Sequence, residues 1–87
     1  MDMEMKFSYK FPYENVKAVI EQAIDKADDI LQDPPKRIGI ESLEPDGYKV
    51  RINIWVKAHG FTDIRLAFQQ RLIEEFRNSD IKLPGME

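Results

Sequence analysis

Residues 50 to 58 read VRINIWVKA. Val50, Ile52, Ile54, Val56 and Ala58 alternate with Arg51, Asn53, Trp55 and Lys57. A period of two predicts a β-strand with one buried face and one wetter face. Trp55, the only tryptophan, falls among the polar residues. Placing this strand decides the fold, and its misplaced tryptophan poses the functional question.

Working outward, EPDG at 44–47 is turn chemistry. Before it, KRIGIESL at 36–43 puts Ile38 and Ile40 on one face of another strand, so the two strands form a hairpin. Further upstream, Val16, Val19, Ile20, Ala23, Ile24, Ala27, Ile30 and Leu31 recur at spacings of three and four. That pattern predicts a helix from Pro12 to about Leu31, stopped by the DPP at 33–35. Asp28 and Asp29 would then oppose its dipole. MKFSYKF at 5–11 alternates as a first strand. Downstream, HGF at 59–61 breaks the third strand, and Thr62 and Asp63 suit the start of a second helix. Its main stripe is Ile64, Ala67, Phe68, Leu72 and Phe76, with Leu66 and Ile73 off to the side. IKL at 81–83 reads as a short final strand before Pro84.

The predicted order is β-α-β-β-α-β. It is an α+β, ferredoxin-like arrangement with two helices on one face of an antiparallel sheet. The 87 residues bound it to a single domain, 1–87, with its core at about 5–84. The start MDMEMKFSYK lacks the apolar stretch of a signal peptide and reads as the beginning of a piece excised from a longer protein. No apolar run approaches the ~20 residues of a spanning helix.

Chemistry is sparse. The net charge of −3 argues against nucleic acid, whose phosphates need a basic surface. An RNA-recognition module shares this element order, but YKVRINIWVKA does not fit its aromatic frame. No cysteine is present, which removes thiolate ligands and cysteine nucleophiles. His59 is the single histidine and reads as a loop residue. Ser8, Ser42 and Ser79 sit in no nucleophile elbow. Asp28, Asp29 and Asp33 lack calcium-loop spacing. No catalytic residue, metal ligand or cofactor site is expected. Two readings of Trp55 remain. It covers the sheet within its own chain, leaning on Phe7 or Tyr9, or it meets another surface, as tryptophans at interface centres do.

The run YKVRINIWVKAHGFTDIRLAFQQRLIEEFRNSDIKLP, at 48–84, resembles the C-terminal cytoplasmic domain of the small-conductance mechanosensitive channel (MscS) family. The resemblance rests on the aromatic-valine pair Trp55-Val56, on Phe61-Thr62-Asp63-Ile64-Arg65, and on Asp80-Ile81-Lys82-Leu83-Pro84. Upstream, Ile30-Leu31-Gln32-Asp33-Pro34-Pro35 is similar to the family's segment into the second strand, and Tyr9 and Val16 also fit. The ending Gly85-Met86-Glu87 departs from the family, whose terminal strand has no counterpart here. The resemblance implies a wall of a hollow cytoplasmic cage, on the cytoplasmic side of the inner membrane. Its expected partners are other copies of itself, as a homoheptamer, with an upstream β-domain and membrane helices of the same chain. The pore of such channels opens under tension and releases ions and small solutes, and no catalysis is implied. A head-to-tail ring needs two different patches per subunit. The candidates are the polar side of the third strand, Trp55 with Arg51 and Lys57, and the off-stripe edge of the second helix, Leu66 and Ile73. The competing expectation is a ferredoxin-like regulatory module that binds a small ligand or metal, as in transporter cytoplasmic domains.

Overall fold

The structure, a computed structural model, describes residues 1–57 and 59–86. Ala58, at the end of the expected third strand, lies outside the described residues. The elements are β1 (Asp2–Ser8), α1 (Tyr13–Asp25), β2 (Arg37–Glu44), β3 (Gly47–Asn53) and α2 (Phe61–Arg77). Three antiparallel strands form one sheet in the order β1-β3-β2. The alternation of residues 50–54 holds in and just past this central strand. Tyr48, Val50, Ile52 and Ile54 are buried, whereas Lys49, Arg51 and Asn53 are half-exposed.

Both helices cover the same side of the sheet. Val16, Val19, Ile20, Ala23 and Ile24 of α1 meet Phe68, Leu72 and Phe76 of α2 and the inward residues of the sheet in one core. Phe7 sits at its centre, fully buried, with its ring 5.1 Å from Phe76 and 6.1 Å from Tyr48. Burying a phenylalanine this completely stabilises by about 1.5–3 kcal/mol. The α+β arrangement expected from the sequence is therefore the one found.

Four boundaries differ, each for a physical reason. First, α1 ends at Asp25, not near Leu31. The chain leaves the helix so that Ile30 can bridge Val56, and the Leu31 N–H donates to the Trp55 carbonyl at 2.7 Å. Asp28 and Asp29 thus lie beyond the helix, and the expected clash with its dipole does not arise. Second, β1 runs from 2 to 8 instead of 5 to 11. Its register pairs Asp2 with Asn53 and Ser8 with Gly47, which uses the whole length of β3. The Met1 ammonium and carbonyl extend the ladder to Ile54. Third, the ladder of β3 stops at Asn53, so Trp55 lies past the strand. Finally, residues 81–83 form no strand. Instead, the tail closes off α2. Ser79 Oγ accepts the Ile81 N–H at 3.1 Å, and Lys82 Nζ donates to the carbonyls of Ser79 and Arg77. Ile81 itself is buried in the core. Among the described residues the outer edge of β1 has no strand beside it.

Thr62 is also not the cap of α2. The N-cap is Gly60, in the left-handed conformation at φ 75°, which a glycine adopts without strain.

Candidate interaction surface

The side of the sheet away from the helices is a grid of ion pairs. Lys6 Nζ lies 3.0 Å from Glu44 and 2.8 Å from Asp46, and Lys49 reaches Glu44 at 3.4 Å. Arg51 bridges both outer strands, at 2.7 Å from Glu4 and 2.8 Å from Glu41. Asn53 hydrogen-bonds Asp2. Glu41 sits in the bulge where the β2/β3 register shifts, and the extra residue aims its carboxylate at Arg51. The hydrogen bond from Arg51 holds the Glu41 carboxyl below the usual range. Lys6 does the same to Glu44 and Asp46, and its own pKa is raised by Asp46 and Glu44. Such a face suits water or a polar partner.

The five residues singled out from the sequence fall in three places. Arg51 is mid-sheet, with its guanidinium already engaged by two carboxylates. Trp55 and Lys57 lie past the end of β3, with Trp55 half-buried and Lys57 exposed. Phe7 pairs with Tyr48, at the other end of β3 from Trp55. Over seven residues of extended chain, roughly 20 Å separate them, so Trp55 does not lean on Phe7. Tyr9 packs instead against Tyr48, with ring centroids 5.9 Å apart, and its hydroxyl donates to the Glu44 carbonyl.

Leu66 and Ile73 are seven positions apart on α2 and share one side of it. They are 61% and 38% exposed, the off-stripe placement that their spacing implied. Ile73 helps line a groove of about 340 Å³ between α2 and β1, together with Met3, Met5, Leu72 and Arg65. This apolar strip borders the open edge of β1.

Sequence reasoning missed a second strip. Ile40 and Leu43 of β2 sit opposite Val50 and Tyr48, yet they are 47% and 74% exposed. Ile40 alternates with Ile38 and so reads as buried from the sequence, but only Ile38 packs against the core beside α1, where the Tyr13 hydroxyl donates to its carbonyl, and Ile40 and Leu43 lie beyond that cover. Because β1 and β2 flank β3, the two apolar strips lie at opposite edges of the domain.

The fold matches a solved structure. The fold is that of one third of Helicobacter pylori MscS. The crystal structure of that protein, in its closed state, superposes with a TM-score of 0.88 at 22% sequence identity. The match covers 97% of this chain and 34% of MscS, so the chain spans about a third of the length of the protein it resembles. The resemblance to MscS read from residues 5–84 and the structural likeness thus agree. No family model and no curated protein matches the sequence.

His59 is exposed in the turn before α2. Among the described residues there is no cluster of three or more histidine, cysteine or carboxylate side chains able to hold a metal ion. No described helix is long and apolar enough to cross a membrane.

Proposed function

We propose that this chain is a cytoplasmic cage domain of a mechanosensitive channel of the MscS family. Its role is structural: it helps to assemble the vestibule below a tension-gated pore and to filter the ions and small solutes that pass. The observation that carries this reading is the likeness to MscS along 97% of the chain, joined to the sequence motifs between Ile30 and Pro84. The surface supports it too. A ring of identical subunits, seven in this reading, requires a head-to-tail contact between two unlike patches. The Leu66–Ile73 strip beside β1 and the Ile40–Leu43 strip on β2 are unlike patches at opposite edges. Trp55 and Lys57 lie past the end of β3 and Arg51 on the polar face of the sheet; in this reading they meet a neighbouring domain. In the intact channel the chain would sit on the cytoplasmic side of the inner membrane, continuous with a β-domain and membrane helices. No catalysis enters this role.

A chimera tests it. The matched third of H. pylori MscS is replaced by this chain, and tension-activated currents are recorded in membrane patches. Assembly of the chimera into a tension-gated channel is the expected outcome. A chimera that reaches the membrane but neither assembles nor conducts would overturn the proposal.

A further inference from the structure

The early end of α1 leaves a cleft beside the start of β2. Between the side of α1, residues 30–36 and the start of β2 lies a concavity of about 540 Å³. That size is in the range of small-molecule sites. Its apolar lining includes Ile24, Ile30, Leu31 and Ile38. Ile24 and Ile30 are nearly buried, whereas Leu31 keeps 38% of its surface in water. Lys17, Lys36 and Arg37 line it as well, with Glu21 as the one carboxylate. The protein as a whole is acidic, at −3, yet this cleft holds three cations against one anion. Glu21 approaches Lys36 only to 3.8 Å, too far for a hydrogen bond. Lys17 and Arg37 enter no ion pair with a described residue.

We propose that this cleft binds a small amphipathic anion, an oxyanion head on a short hydrocarbon tail. The guanidinium of Arg37 offers a planar fork for the two oxygens of such a head, and Lys17 adds a second positive charge. The tail replaces water over Leu31 and half-buried Ile38, with Ile24 and Ile30 as the dry floor beneath. The charge excess selects the head and the apolar surface of Leu31 and Ile38 selects the tail, so neither part alone suffices. The site stands on this chain's own side chains and does not depend on the channel reading.

Titration of the 87-residue protein, followed by amide NMR spectra, tests this with three probes: octanoate, acetate and 1-octanol. Octanoate is expected to bind saturably, with the shifted amides confined to residues around Ile24, Ile30, Leu31 and Ile38. Acetate and 1-octanol are each expected to bind at least about tenfold more weakly, the loss typical of one charged or apolar contact set. Arg37→Gln and Lys17→Gln each weaken octanoate binding about fivefold or more with otherwise native spectra, whereas Arg77→Gln, in the last turn of α2 and outside the cleft, does not. Leu31→Glu, a change at an exposed position, abolishes binding. Equal affinity for octanoate and 1-octanol would overturn the proposal. So would shifts spread over other faces, or unchanged octanoate binding in natively folded Arg37→Gln and Lys17→Gln.

Discussion

At the scale of single residues, the tightest constraint is Gly47. A Cβ there would overlap the carbonyl oxygen of Phe7 on the facing strand. That obstacle is backbone and cannot swing aside. Gly47→Ala must spread the β1/β3 ladder at its end, at a cost of about 1–3 kcal/mol, read as a lower urea midpoint with an unchanged slope. Gly39, in contrast, has open space where a Cβ would go. Its alanine variant should lie close to the parent in the same assay. In the sequence Gly47 belongs to the turn chemistry of EPDG, and Gly39, inside a strand pattern, is the glycine expected to mark a close approach; the close approach is at Gly47 instead. Only the register, which puts Gly47 opposite Ser8, separates them.

At the scale of elements, the ion-pair grid makes stability depend on pH in a defined direction. Glu41, Glu44 and Asp46 have lowered pKa values in the folded chain. Their contribution is therefore present above the ordinary carboxylate range and is lost as pH falls through the lowered values. The raised pKa of Lys6 works at the alkaline side: its contribution is full below the usual lysine value and lost only as pH rises through the raised one. Melting temperature in low salt should be flat from about pH 7 to 5 and fall below about pH 4. In Lys6→Gln that acid step should shrink, and in about 1 M salt it should shrink further, because these side chains are solvent-exposed and screened. The elements themselves were largely legible. Period two found β3 and period three-to-four found both helices, since those patterns follow from which face is dry. Their ends were not. Ala27 and Ile30 continue the helical spacing beyond Asp25, but Ile30 is buried against Val56, a partner more than twenty residues away. Likewise the apolar character of Ile81 and Leu83 was real, whereas its cause was packing into the core and not strand pairing.

At the scale of the whole molecule, the candidate contact residues were half visible. Leu66 and Ile73 could be found because a helix has a definite angular spacing, and an apolar residue off the stripe stands out. Ile40 and Leu43 could not, because an inward-facing strand residue looks the same whether or not a helix lies over it. In a full-length channel carrying this domain, Trp55→Ala and the pair Leu66→Ser with Ile73→Ser should each lower the fraction of complete assemblies measured by light scattering. The isolated variants should keep the circular dichroism and melting curve of the parent. Loss of folding in isolated Trp55→Ala would instead make Trp55 a core residue of its own chain. The central place of β3 also shapes the order of events in time. Its contact with β2 closes across the two-residue turn Pro45-Asp46, whereas its contact with β1 joins residues 39 to 51 positions apart. Closing the longer loop costs more entropy. The hairpin can therefore form while the nascent chain is still searching, and the arrival of β1, with Phe7 at its end, becomes the slow step that completes the core.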